Sequence, residues 1–387
     1  MKILVPFGTR PEIIKLAPVV RTLRERGFDV ITVATGQHYD GSLTDAFYEQ
    51  LAFHPDARWT LEGDDATRTA EILKLAHREV SDRNPDLVLL LGDTYTVPLF
   101  CLAARRYRVP VAHLEAGLRS FNETSLEEVH RKVAGALASL HFAPTRMAAD
   151  FLRAEGVPEE RIKVVGNPVI DVLIEAGVRA LPPEERHGVV FTAHRATNVD
   201  DPVRLDQIVG LVLRLAIEVG PVTFPLHPRT RARLERFGSL DALSVDGIRL
   251  LPPAPYRAML TMLSGAKVVV TDSGGLQEEA SWLGVPVVVL RHSTPRWEGV
   301  AAGTAVLTGV DVDRALDAAV RFATPEEQER VRQVPCPYGD GHTAERVADA
   351  LEDRTTVRLL RLEEPRLEGA LPMVPAPAEM AGVRPWR

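Results

Sequence analysis

Short runs of Val, Ile and Leu, several of them apolar at every position, recur along the chain with longer amphipathic stretches between them. A strand wet on one face alternates apolar and polar residues; a strand apolar throughout is buried on both faces, as in a parallel sheet covered by helices on each side. The runs at 2–6, 29–34, 87–91, 109–113, 140–143 and 161–165 form a first series, and those at 188–193, 222–226, 247–251, 267–271 and 286–290 a second. Between them, 11–26 is the clearest helix, with Ile13, Leu16, Ala17, Val20 and Leu23 on one apolar face. Strand and helix in alternation, in both halves, predict two doubly wound α/β domains with parallel sheets.

A chain of 387 residues, 45% of them hydrophobic, can bury two such cores. The pattern breaks between 167 and 185, around Leu181-Pro182-Pro183, which places a first domain at 1–167 and a second at 168–351. Residues 352–387 hold Pro365, Pro372, Pro375, Pro377 and Pro385 without periodicity and read as a poorly ordered tail. The net charge of −7 argues against a nucleic-acid or anionic-membrane binder. Two cysteines, Cys101 and Cys336, suit a reducing compartment, and no apolar run reaches the roughly 20 residues of a membrane span. The expectation is a soluble, cytoplasmic chain with no membrane or nucleic-acid partner.

In parallel α/β sheets, ligands bind beyond the carboxyl ends of the strands. The first apolar run leads into Gly8-Thr9-Arg10-Pro11-Glu12, where Thr9 and Glu12 have capping-box spacing. Arg10 and Lys15 then stand near the positive end of a helix dipole, against local preference, which suggests an anion site. For Lys15 alone, a side chain reaching into solvent is the plainer reading. The run 87–91 ends in Gly92-Asp93-Thr94 and the run 109–113 in Leu114-Glu115, which puts two carboxylates at the tips of neighbouring strands. Such pairs serve acid–base work when their surroundings drive their pKa values apart. Glu127 and Glu128 follow in an acidic helical segment that reads as a solvated face. In the second half, 188–193 ends in His194-Arg195, and 267–271 leads into Asp272-Ser273-Gly274-Gly275. Ser273 is a fair helix cap, and Gly274 and Gly275 let a phosphate approach bare N–H groups at a helix start. Glu279, about a turn later, is placed to accept from a ribose diol.

Taken together and in order, Phe7-Gly8-Thr9-Arg10-Pro11-Glu12, Thr35-Gly36-Gln37-His38, Gly92-Asp93-Thr94, His113-Leu114-Glu115-Ala116-Gly117-Leu118-Arg119, Thr192-Ala193-His194-Arg195, the segment 272–279 and Pro337-Tyr338-Gly339-Asp340-Gly341 resemble the non-hydrolysing UDP-N-acetylglucosamine 2-epimerases. The resemblance implies two Rossmann-like domains facing a central cleft, GT-B-like, with a last helix crossing back to the first domain. It implies interconversion of UDP-GlcNAc and UDP-ManNAc without an external cofactor or metal. The anomeric C1–O bond to UDP breaks, a base removes the C2 proton, and the 2-acetamidoglucal takes up a proton and UDP again. Carried over by position, Asp93, Glu115 and Glu127 share the proton transfers and His194 assists departure of UDP. Arg10, Lys15 and Arg296 line the anion site, Ser273, Gly274 and Gly275 hold the diphosphate, and Glu279 holds the ribose. Gln37, His38 and Arg68 would belong to an allosteric site, and a homodimer is the assembly expected. Pro295 and Trp297 stand where the family usually has Glu and Pro, and His130 where it has Asn. Rival readings are a hydrolysing 2-epimerase, a 2-epimerase of a modified UDP-acetamido sugar, and, in another class, a GT-B glycosyltransferase.

Overall fold

The structure, a computed structural model, describes residues 1–36 and 53–362. Strands β1 (Lys2–Phe7), β2 (Asp29–Ala34), β3 (Ala57–Arg58), β4 (Leu87–Leu91), β5 (Val111–Leu114), β6 (Leu140–Ala143) and β7 (Ile162–Val164) form one parallel sheet in the order β3-β2-β1-β4-β5-β6-β7. Strands β8 (Val189–Thr192), β9 (Val222–Pro225), β10 (Ile248–Leu251), β11 (Val268–Thr271), β12 (Val287–Val289) and β13 (Ala305–Leu307) form a second, in the order β10-β9-β8-β11-β12-β13. The sequence reading lacks β3 and β13. These are edge strands of two and three residues, too short to carry an apolar run.

Continuous apolarity has the predicted cause. On β4, Leu87, Leu89 and Leu91 enter one core cluster while Val88 and Leu90 enter the cluster on the opposite face. On β11, Val268 and Val270 lie on one side and Val269 on the other. No helix among the described residues is long and apolar enough to cross a membrane.

The chain passes between the sheets twice. Helix Pro168–Ala176 packs Val169, Ile170 and Leu173 into a core cluster of the second sheet. Helix Thr343–Glu352 returns and packs Ala344, Val347 and Leu351 into a cluster of the first. The crossings are tied together: Asn167 N donates to Tyr338 O (2.8 Å), and Asp171 accepts from Thr343 N (3.2 Å) and Ala344 N (2.9 Å). The expected tail needs correcting at its start. Helix Arg354–Leu359 is capped by Asp353, and Leu360 joins the first-sheet core, so a local cap and one apolar anchor order the stretch as far as 362. The remaining residues, 363–387, lie outside those described.

Candidate active site

Strand order reverses between β1 and β4 in the first sheet and between β8 and β11 in the second. These switch points are where a doubly wound sheet leaves a crevice at its carboxyl edge. Arg10, Glu12 and Lys15 follow β1, Asp93 follows β4, and Glu115 follows β5, the paired neighbour of β4. His194 follows β8 and Ser273 follows β11.

Glu12 ties the first two loops together. It accepts from Gly8 N (2.9 Å), Thr9 N (2.8 Å) and Thr9 Oγ1 (2.9 Å), and from Thr94 Oγ1 (2.9 Å) beside Asp93. Burial outweighs these hydrogen bonds and pushes its pKa up to about 7, from a usual 4.5. Between those values the folded chain keeps a proton that the unfolded chain has released, so the stabilisation is complete below the lower value and is lost as pH rises through the window. Glu12→Gln keeps the acceptor and stays neutral. Its melting temperature relative to the unsubstituted chain is expected to rise between about pH 5 and pH 7.5; parallel melting profiles would refute this.

The cleft is crossed by buried charges. Lys15 Nζ is ion-paired to Glu115 Oε1 and lies 3.1 Å from Glu278 Oε2. Arg296 Nε donates to Glu278 Oε1 (2.8 Å), and its terminal nitrogen is 3.8 Å from Glu115 Oε1. Asn167 Nδ2 bridges both carboxylates, at 3.0 Å and 2.8 Å. Burial alone would raise the Glu115 pKa, but Lys15 and Arg296 together overcome it and hold the carboxylate ionised. Lys15 is thus buried in the cleft, not spread into solvent: Glu115 and Glu278 supply the charges that make its burial tolerable. Glu115 also has φ 62°, a left-handed conformation that costs a non-glycine residue energy and that clusters at functional sites. Two residues on, Gly117 has φ 83°, and a Cβ there would stand 2.1 Å from Ala148 O, so only glycine lets this loop lie against the next helix.

Asp93 and Glu127 are more open, their side chains 30% and 44% exposed against 6% for Glu115. Asp93 is ion-paired to Arg131, and His130 Nδ1 donates to Asp93 O (2.8 Å). Glu127 accepts from Ser125 Oγ (2.5 Å) and lies 3.6 Å from Arg195 of the second sheet. Burial opposes ionisation of Glu127, but Ser125, its own backbone N–H and Arg195 lower its pKa on balance. Glu128 is not on a solvated face. It is 1% exposed, accepts from Ser120 N (2.8 Å) and Phe121 N (3.1 Å), and pairs with Arg131 (2.6 Å). A loop folding back over its helix takes it out of water.

Across the cleft, the His194 ring lies 3.0 Å (Nδ1) from Asp272 Oδ1 and is 38% exposed. Asp272 is fully buried and also accepts from His194 N (3.0 Å), Arg195 N (2.9 Å) and Asn198 Nδ2 (3.1 Å). Burial would raise its pKa, but His194 and these N–H groups lower it, so the aspartate orients the histidine as an anion. The helix cap needs correcting: helix Gly275–Trp282 starts from Gly274, while Ser273 N donates to Thr271 Oγ1 (2.9 Å). A Cβ on Gly275 would meet nothing within 4 Å, whereas one on Gly274 would touch the Arg296 guanidinium at 3.6 Å. The backbone therefore faces open space at the helix start, with a cation beside it. Glu279 is buried, and burial first, then the charge of Glu278, pushes its pKa up to about 7.

The structure brings Lys15, Glu115 and Arg296 into contact, and Glu127 into reach of the second sheet. Arg10 is exposed at the start of its helix, and its charge acts on His227, which follows β9 of the second sheet. The His227 pKa is lowered by burial first, then by His194 and Arg10. Arg68 is exposed in the first turn of helix Asp65–Arg83, and Gln37 and His38 lie outside the described residues. Sequence reasoning missed Asn167, Glu278, Asp272 and Arg131. Glu278 adjoins Glu279 and Asp272 adjoins Ser273, so the signal was a charged residue beside a recognised one. Asn167 carries no signal beyond a helix cap. In the sequence Trp297 stands out only as a departure from the family pattern. Its indole Nε1 donates to Arg119 O across the cleft (2.9 Å), a bond that proline in its place cannot make.

A family model described as UDP-N-acetylglucosamine 2-epimerase matches residues 21–352. The chain belongs to this family. These epimerases are isomerases acting on carbohydrates. The UDP-N-acetylglucosamine 2-epimerase of Methanocaldococcus jannaschii is 34% identical, over 91% of this chain and 99% of its own length. The UDP-2,3-diacetamido-2,3-dideoxy-D-glucuronate 2-epimerase of Pseudomonas aeruginosa is 36% identical over the same shares. A crystal structure of the M. jannaschii epimerase in complex with UDP-GlcNAc and UDP superposes with TM-score 0.82 at 34% identity, over 91% of this chain and 99% of that one. Glycosyltransferase VinC in complex with DTDP, at TM-score 0.50 and 17% identity, shares the fold alone.

Proposed function

We propose that this epimerase-family chain interconverts UDP-GlcNAc and UDP-ManNAc by elimination and re-addition of UDP. The observation that carries the reading is the division of groups across the cleft: Asp93, Glu115 and Glu127 project from the first sheet, while His194, Ser273, Gly274 and Gly275 stand on the second. A C2–H beside an acetamide is too weak an acid to lose its proton directly. Breaking C1–O first, with the electron pair leaving on UDP, gives C1 oxocarbenium character and makes the neighbouring C2 proton removable. The diphosphate lies at Gly274 and Gly275, with Arg10, Lys15, Arg296 and the Asp272-oriented His194 stabilising the departing charge, and Glu279 takes the ribose. Asp93, Glu115 and Glu127 surround the sugar and share removal of the C2 proton and its return to the opposite face.

Proton NMR with UDP-GlcNAc in deuterium oxide tests this. The expected result is UDP-ManNAc carrying deuterium at C2, with little free sugar. Free ManNAc as main product would point to a hydrolysing enzyme, and consumption that needs an acceptor, without exchange at C2, to a transferase. A modified acetamido sugar is favoured as a second reading by the equally similar P. aeruginosa relative, so UDP-2,3-diacetamido-2,3-dideoxy-D-glucuronate belongs in the same assay. His194→Ala is expected to slow UDP release from the sugar by a factor of roughly 10²–10³, the usual effect of losing one charge-stabilising donor. A rate within about threefold of the unsubstituted chain would remove His194 from that role.

A further inference from the structure

At the opposite edge of the first sheet lies a cavity of about 620 Å³ walled by Arg105, Arg161, Arg358 and Arg361, with Ser139 and Leu362. Ser139 directly precedes β6 and Arg161 directly precedes β7. The cavity therefore opens at the amino ends of the strands, whereas Asp93 and Glu115 follow the carboxyl ends of β4 and β5. Among the described residues none of the four arginines is in an ion pair with a carboxylate. Arg161 donates only to Ser139 O (3.2 Å). The Ser139 hydroxyl is buried, in a residue 2% exposed, and has no hydrogen-bond partner among the described residues. Helices Thr96–Arg106, Leu126–Leu137 and Arg354–Leu359 end at this wall and bring the partial negative charge of their carboxyl ends, about half a unit each. That offsets about one and a half of the four guanidinium charges and leaves the cavity net positive among the described residues. Planar forks with paired N–H groups match phosphate oxygens two at a time, and a serine hydroxyl adds a single donor. Arg358, Arg361 and Leu362 lie beyond residue 352, where the match to the family model stops, so this wall is built by chain that the family pattern does not include.

We propose that this cavity is a second ligand site, separate from the cleft, which binds a small phosphorylated anion of the diphosphate class. Arg105 and Arg161 hold it from the sheet side, and Arg358 and Arg361 close on it from the carboxyl-terminal helix. The test uses inorganic pyrophosphate and the full chain at constant ionic strength. Calorimetric titration compares the unsubstituted chain with Arg358→Ser/Arg361→Ser, two exposed positions outside the cleft, and crystals soaked in pyrophosphate locate the anion. The expected result is density between Arg105, Arg161 and Arg358, with a binding event at least about tenfold weaker in the double variant. The melting temperature without ligand should stay unchanged. Density confined to the cleft, affinity unchanged in the double variant, or no binding to either chain would overturn the proposal.

Discussion

Asp93→Asn is expected to cut solvent-deuterium incorporation at C2 by a factor of roughly 10²–10⁴, the contribution of a positioned proton-transfer group. The side chain keeps its shape and loses its capacity to take a proton. Arg131, its ion-pair partner, retains Glu128 at 2.6 Å and so is not left as a lone buried charge. The loop is held independently: His113 Nε2 donates to Gly92 O (2.8 Å), and burial, which lowers the His113 pKa to about 4, keeps that imidazole neutral. In the proposed arrangement Asp93 faces the sugar and Gly274 and Gly275 the diphosphate, so UDP affinity, measured by calorimetry, should change less than about threefold. Exchange that continues within about threefold of the unsubstituted rate would show that Asp93 moves no proton.

Glu278→Gln is expected to lower stability by about 3–5 kcal/mol, the usual cost of breaking a buried ion pair from one side. Glu278 is fully buried and meets Lys15 at 3.1 Å, Asn167 at 2.8 Å and Arg296 at 2.8 Å. A neutral amide leaves two buried cations facing Glu115 alone. Because Lys15 and Asn167 come from the first sheet's side and Arg296 from the second's, the loss falls on the closed cleft as well as on the fold. Thermal unfolding and small-angle scattering read the two effects: a lower melting temperature and a larger radius of gyration. Burial limits screening, so added salt should do little to erase the difference. A variant that melts within about 1 °C of the unsubstituted chain with an unchanged radius would show that the cluster does not hold the cleft.

Much of this architecture was written locally. A strand buried on both faces is apolar at nearly every position, so β4 could be read outright, and β1, β2 and β6 despite one or two polar residues each. The rule that ligands gather at carboxyl edges then pointed to Asp93, Glu115, His194 and the glycines at 274–275. Ser273 reads as the cap because a serine before glycines satisfies a local preference, whereas the helix starts one residue later, from Gly274. β3 and β13 escaped because two and three residues are too short a run to stand out.

Sequence alone determined the layered α/β plan and which strand ends carry charged or flexible residues, because hydrophobic period and glycine placement act over a few neighbours. Only the tertiary structure decided which charges are buried. Lys15 reads as a solvent-reaching side chain until Glu278, 263 positions later, is brought to 3.1 Å from it. Glu128 reads as a wet helix face until the Ser120–Phe121 backbone closes over it. A charge leaves water only where an opposite charge or a set of donors meets it, and that meeting depends on how the two sheets come together.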